Sequence, residues 1–184
     1  MTERTVEKVA RRLSAAEPAS VGLRLAAVSM IFRNPKHPEV LLIKRAERTG
    51  DPWSGQIAFP GGKMQSGDGT ARNTAVRETL EEIGVDLNRS AKFLGYGELT
   101  TTHTGTMEVV PSIFLLRDEV AVRPNSEVAS FRWIGIDEML SPKSRSSHSL
   151  EVGGRSVDMP AVLVEDYLIW GLTHRIVMSV LSPP

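Results

Sequence analysis

The stretch "AVRETLEEIGV", residues 75–85, sets Arg77, Glu78, Glu81 and Glu82 among the apolar residues Val76, Leu80 and Ile83. On a helix at ~100° per residue, Glu78, Glu81 and Glu82 share one face, and Val76, Leu80 and Ile83 point the opposite way. The spacing therefore predicts an amphipathic helix from about Thr70 to Ile83, with the apolar side toward a core. Gly84 is its expected C-cap, because a residue without Cβ adopts the left-handed conformation at little cost. Glu78 and Glu82 stand at i,i+4, where like charges repel by roughly a few tenths of a kcal/mol. A cation relieves that repulsion, and hard divalent cations take carboxylate oxygens, Mg²⁺ commonly together with substrate phosphates. A merely solvated acidic face is the other reading of such a run.

Working outward, 184 residues with 41% hydrophobic content suit one globular domain, 1–184, with a substantial core. A formal net charge of zero and a pI near 6.9 give no support to a nucleic-acid binder or a polybasic membrane-surface protein. The absence of cysteine excludes disulfides, thiolate zinc sites and cysteine nucleophiles, and fits a cytoplasmic setting. "MTERTVEKVARRLSAAEPAS" has no apolar core of a signal peptide and predicts a short amphipathic helix over about residues 2–16. The most apolar run, "LRLAAVSMIF", falls far short of the roughly 20 residues that span a bilayer. The expected partner is a small molecule, with neither nucleic acid nor membrane.

Strands are expected at Leu23 to Arg33 and Val40 to Lys44, paired as a hairpin across "NPKHPE". The following "RAERTGDPWSGQIAFPGGKMQSGDGT" is too rich in Gly, Pro and polar residues for an ordinary connection, and marks a functional loop with a short strand at "QIAF". Further strands are read at Phe93 to Thr100, Met107 to Leu116 and "EVASFRWI", then a helical turn at "DEML" capped by Asp137. "SPKSRSSHSLEVGG" reads as a mobile loop and "VDMPAVLV" as extended chain. "EDYLIWGLTHRIVMSVLS" reads as a closing helix with Leu168, Leu172, Ile176 and Val180 facing the core. This order of elements predicts an α/β or α+β domain with helices packed on a mixed sheet.

Before the acidic helix stands "FPGGKMQSGDG", where Phe59 and Pro60 anchor a turn and Gly61 and Gly62 let backbone approach a charged ligand. It is not a P-loop, since G-x-x-x-x-G-K-[ST] is absent. Gly62, five residues, Asp68, eight residues, then "RETLEEIGV" closely resembles the Nudix box over 62–85. Three positions depart from it: Asp68 replaces Glu, one extra residue precedes Arg77, and Thr79 stands at an aliphatic position, toward the side of the helix. The Asp and the extra residue resemble the coenzyme A pyrophosphatase branch. Leu41, Leu42, Arg45, Gly55, Phe59, Pro60, Gly61 and Gly62 also match that branch's upstream pattern. Ile43 and Ala46 replace its Thr and Ser, and its second Arg has no aligned counterpart, a role that falls to Arg48. "NSEVASFRWI" and "YLIWGLTHRIV" resemble the branch's later segments.

The resemblance implies the Nudix fold, a mixed sheet sandwiched between helices, and a pyrophosphatase acting on a nucleoside diphosphate-linked substrate. For this branch the substrate is coenzyme A or acyl-coenzyme A, with ADP-ribose, NADH or nucleoside triphosphates as alternatives and a non-catalytic nucleotide sensor as a third reading. It implies Mg²⁺ or Mn²⁺ held by Glu78, Glu81, Glu82 and the Gly62 carbonyl, with Arg77 orienting the carboxylates. The general base stays open between Glu78 and Glu127. Arg45, Arg48, Phe59 and Gly61 are the expected substrate-binding residues, and the chain is expected as monomer or homodimer. Elsewhere, His37, His103, His148 and His174 show no zinc spacing. "PWSGQ" lacks the G-x-S-x-G elbow. Trp53 either stacks on adenine or anchors its loop, while Trp133 and Trp170 read as core.

Overall fold

In the computed structural model, which describes residues 5–20, 22–50 and 53–182, the first apolar run forms β1 (Arg24–Arg33). One edge of β1 pairs in parallel with β7 (Met107–Leu116), in register from Arg24–Met107 to Phe32–Leu115. The other edge forks. Its tip pairs with β2 (Glu39–Arg45) only at Phe32–Val40 and Arg33–Glu39, and its first half pairs with β4 (Gly61–Lys63). Inside the fork the Ser29 N–H donates to the Pro60 carbonyl at 2.8 Å, so the glycine loop is stitched into the sheet. Beyond the fork β2 pairs with β8 (Val128–Gly135) and with β3 (Ile57–Ala58). β5 (Ala91–Tyr96) and β6 (Thr100–Thr101) complete the mixed sheet by pairing with β7.

β1 is buried on both faces, which is why it reads as a continuous apolar run rather than an alternating one. Ala27 and Ile31, with Leu41, Val110 and Phe114, pack under α2 (Ala71–Ile83) and α3 (Leu87–Ser90). Ala26, Met30 and Phe32 face a second core closed by α1 (Thr5–Arg12), by α5 (Gly171–Leu181) and by a three-stranded sheet. The expected sandwich of a mixed sheet between helices is therefore the observed architecture. Among the described residues, no helix is long and apolar enough to cross a membrane.

Several local expectations are corrected. The supposed mobile loop contains a 3-10 turn (Pro142–Ser144) and β9 (Arg145–Val152), which pairs with β10 (Arg155–Val164) across Gly153–Gly154. Both glycines have positive φ (59° and 74°), as a tight hairpin turn requires. β9 is polar because backbone pairing with β10, rather than burial, holds it. The closing helix begins only at Gly171: Tyr167–Trp170 is strand β11, paired with β10 from Val164 to Ala161. An interval of four from Leu168 to Leu172 fits a strand's period of two as well as a helix's period, and it is Tyr167 and Ile169 that are buried. The N-terminal helix ends at Arg12, since Ser14 bridges to Tyr96; residues 2–4 of the expected span lie outside the described residues. The expected strand at Phe93 to Thr100 is interrupted between β5 and β6, and α4 (Ile136–Met139) is capped by Gly135 rather than Asp137.

The Gly84 C-cap of α2 is as expected (φ 69°), its N–H donating to the Leu80 carbonyl at 3.0 Å, and Thr70, the expected start of the helix, is its N-cap, with Oγ1 accepting from the Asn73 N–H. Of the expected apolar face, Val76 and Ile83 are buried but Leu80 is not. Ala71, Ala75 and Thr79 lie against the sheet, whereas Leu80 is 49% exposed. Thr79 is wholly buried, and its hydroxyl donates to the Ala75 carbonyl at 2.7 Å and meets Ser29 Oγ at 2.8 Å. Small residues bring helix and sheet close, and a tall Leu does not fit that contact. Leu80→Ala is therefore expected to change unfolding free energy by less than about 1 kcal/mol, and Ile83→Ala to cost about 2–4 kcal/mol. Urea denaturation at neutral pH measures both, and equal losses would contradict this packing.

Candidate active site

The functional loop and α2 meet at two glycines. Gly61 has φ 155°, and a Cβ there would lie 2.3 Å from the Ala27 carbonyl oxygen. A Cβ on Gly62 would lie 2.5 Å from the Glu78 carboxyl carbon. Backbone of the sheet thus requires glycine at 61, while at 62 a Cβ would displace the Glu78 carboxylate.

Arg77 is the hub of the charge network. Its guanidinium grips Asp68 in bidentate fashion, Nε to Oδ1 at 2.8 Å and Nη2 to Oδ2 at 3.0 Å. Nη1 donates to Glu78 Oε1 at 2.8 Å and to Glu81 Oε2 at 3.3 Å, and Nη2 also donates to the Lys63 carbonyl at 3.1 Å. A planar fork of fixed donors suits such multiple acceptance. The Arg77 hydrogen bonds hold the Asp68 carboxyl well below the usual carboxylate range, helped by the Gln65 N–H and the Thr74 hydroxyl. Asp68 in turn raises the guanidinium pKa further. Asp68 is therefore an anchor: it is 9% exposed and ties the loop to the helix.

Glu82 turns away from Arg77. Its carboxylate is 3% exposed and accepts the Gly61 N–H at 2.9 Å. Burial pushes its pKa up to about 7; the Gly61 hydrogen bond opposes that shift, the charges of Glu78 and Glu127 add to it and that of Arg45 opposes it. Burial also raises Glu78, against the pull of Arg77. Among the described residues, no three His, Asp or Glu side chains already converge on one point, because Arg77 draws Glu78 and Glu81 while Gly61 draws Glu82. The donor set nevertheless fits a hard divalent cation. Carboxylates from one helical turn stand beside a glycine whose missing side chain leaves room at Glu78, and two of them carry a burial penalty that a cation would offset.

The remaining expected residues divide. Arg45 is near enough for its charge to act on Glu82. Arg48 pairs with Glu127, Nη1 to Oε1 at 3.2 Å, both side chains about half exposed. The Gly61 N–H is taken up by Glu82. Phe59, expected to bind substrate, is 3% exposed, with its side chain in the core, where it anchors the loop. Trp53 is exposed in that loop, while Trp133 and Trp170 are only partly buried, against Arg33 and His148 respectively.

Sequence reasoning missed Ser29 and Glu17, and gave Asn125, at the head of "NSEVASFRWI", no role of its own. Ser29 had a signal, a lone hydroxyl in an apolar strand. Glu17 accepts the Ala71 N–H at 3.0 Å and so adds a carboxylate at the N-terminal end of α2, a contact 54 residues apart that no local pattern announces.

Residues 23–151 match the NUDIX domain family, and the chain belongs to it. An uncharacterized protein of Schizosaccharomyces pombe, C14C4.10c, is 35% identical over 145 residues, covering 70% of this chain. This chain spans only 44% of that relative's length. An uncharacterized Nudix hydrolase NudL of Photorhabdus laumondii is 32% identical over 158 residues, covering 84% of this chain and 81% of its own. The crystal structure of a MutT/nudix family protein from Enterococcus faecalis shares the fold, with TM-score 0.55, 17% identity and coverage of 97% of this chain and 74% of that one.

Because the Asp68 pKa is lowered on folding, its ionised form stabilises the fold above the ordinary carboxylate value, and that stability is lost as pH falls toward the folded value. Between pH 7 and pH 3 the parent should lose about 1 kcal/mol more unfolding free energy than Asp68→Asn, which is already weaker at pH 7. Equal slopes for the two proteins would show that Asp68 does not anchor Arg77.

Proposed function

We propose that this chain is a divalent-metal-dependent hydrolase of a nucleoside diphosphate linked to a second group. Its proposed substrate is coenzyme A or acyl-coenzyme A, cleaved by water to 3′,5′-ADP and (acyl-)4′-phosphopantetheine. The observation that carries the reading is the Arg77 network: one guanidinium, anchored by Asp68, bonds Glu78 and Glu81 beside the Gly61–Gly62 loop and the desolvated Glu82. A non-catalytic module has no need to hold three carboxylates against their mutual repulsion.

Glu78, Glu81, Glu82 and the Gly62 carbonyl would hold Mg²⁺ or Mn²⁺. Such an ion, when bound, spreads the diphosphate's charge and acidifies a water. The chain's own residues do the rest. Arg77 keeps Glu78 and Glu81 oriented, and Arg45 offers positive charge to a phosphate. Glu78 or Glu127 accepts the proton of the attacking water. Arg48 holds Glu127 through an exposed ion pair worth about 1 kcal/mol or less, which a diphosphate can displace. That pairing also favours a second reading, ADP-ribose, NADH or a nucleoside triphosphate as substrate, because the branch's second Arg is missing and its stand-in already has a partner. The whole chain, 1–184, is proposed to act as one domain, as monomer or homodimer in the cytoplasm.

Purified protein with Mg²⁺ or Mn²⁺ should cleave coenzyme A in preference to ADP-ribose, NADH, dinucleoside polyphosphates and dNTPs. Preference for another substrate defeats the coenzyme A assignment, and binding without turnover at any metal concentration defeats the hydrolase. Glu81→Gln and Glu82→Gln should lower kcat by about two orders of magnitude or more while circular dichroism is unchanged. Gly62→Ala should weaken Mn²⁺ binding by about tenfold, read by titration without substrate, because its Cβ displaces Glu78. Parental affinity in that variant would remove Gly62 and Glu78 from the metal site.

A further inference from the structure

The chain between β7 and β8 closes over the C-terminal end of α2. The Arg123 N–H donates to the Ile83 carbonyl at 2.8 Å, the Asn125 N–H to the Glu82 carbonyl at 2.8 Å, and the Asn125 side-chain amide to the Glu81 carbonyl at 2.9 Å. These acceptors belong to the last helical turn, which has no partners for them within the helix. At its other end, Asn125 Oδ1 accepts the Glu127 N–H at 2.7 Å. The Glu127 carbonyl then accepts from the Ala46 N–H at 2.8 Å, next to the end of β2. One residue therefore joins the acidic face of α2 to the peptide unit that carries Glu127, its side chain at the Glu81 carbonyl and its backbone N–H at the Glu82 carbonyl.

The geometry points to Asn125 as a positioning residue that fixes Glu127 relative to Glu81 and Glu82. This rests on the reading of Glu127 as proton acceptor for the attacking water. Asparagine is demanded by the two ends of the bridge: it offers a donor and an acceptor in one planar group, whereas Asp has only acceptors and Ala has neither. The Glu127 side chain is about half exposed and paired with Arg48, itself about half exposed, so its aim is set by its backbone more than by packing. A general base acts only within hydrogen-bond reach, and a misplacement of about 1 Å costs on the order of a hundredfold in rate. Asn125 touches neither reacting atom and acts through Glu127.

The test combines Asn125→Ala and Asn125→Asp with Glu127→Gln. In Asn125→Ala the Glu127 N–H should exchange with D₂O at least about threefold faster, and in Asn125→Asp, which keeps the acceptor, at close to the parental rate. Asn125→Ala should lower kcat roughly tenfold to a hundredfold with KM within about twofold, and leave Mn²⁺ affinity, titrated without substrate, within about twofold. Placed on Glu127→Gln, it should lower kcat no further. Unchanged amide exchange in Asn125→Ala overturns the inference. So does an equal loss of kcat with and without the Glu127 carboxylate. If the parent cleaves nothing on the substrate panel, the hydrolase reading fails on that result alone, while amide exchange, read without turnover, still decides whether Asn125 holds Glu127.

Discussion

The close approach of α2 to the strands beneath it is the constraint on which the site depends. Ala71, Ala75 and Thr79 present almost no side-chain height to Ala27, Ser29 and Val110, and the glycines at 61 and 62 remove the last Cβ atoms from the path. Only at that separation does the Glu82 carboxylate reach the Gly61 N–H and the Arg77 guanidinium reach the Lys63 carbonyl. Bulkier residues would push the helix outward and break both contacts together. The Ser29–Thr79 hydroxyl pair lies within this contact and is satisfied internally, so the polar atoms do not oppose the packing.

Charge is arranged unevenly around that contact. Asp68 and Arg77 satisfy one another and make a rigid joint between loop and helix. Glu78 and Glu82 are burdened by burial, which the Arg77 hydrogen bond to Glu78 and the Gly61 hydrogen bond to Glu82 only partly offset. The anchor is electrostatically settled, and the carboxylates beside it are left reactive toward positive charge. An arginine can serve as hub because its donors are fixed in a plane and engage three carboxylates and a carbonyl at once.

Elements outside the matched span of residues 23–151 contribute to the same frame. Glu17 reaches the first turn of α2, Tyr96 donates its hydroxyl to Glu17, and Arg12 holds the Val180 carbonyl at 2.9 Å. α1, β10, β11 and α5 close the core on the face of the sheet opposite α2. The helix that carries the carboxylates is thus held at its first turn by the N-terminal segment and at its last turn by residues 123–125.

The amino-acid sequence by itself determined the acidic helix, its Thr70 start and Gly84 stop, the glycine loop before it, most strands and the sandwich of sheet between helices. These follow from local periodicity and from residue types whose backbone preferences are strong. It placed Val76 and Ile83 on the buried side of α2 but did not determine that Leu80 lies outside that side while Ala71, Ala75 and Thr79 lie within it, because only the distance to the sheet excludes a tall side chain there. The division of Tyr167–Leu181 into strand and helix was equally hidden, since a four-residue interval serves both periods. Pairing across the chain decided the rest: β9 is a strand because β10 lies beside it, Phe59 is core because the fork in β1 draws its loop inward, and Asn125 meets Glu81 only when α2 and the chain before β8 have been brought together. Such contacts depend on distances between segments far apart in sequence, which tertiary packing alone sets.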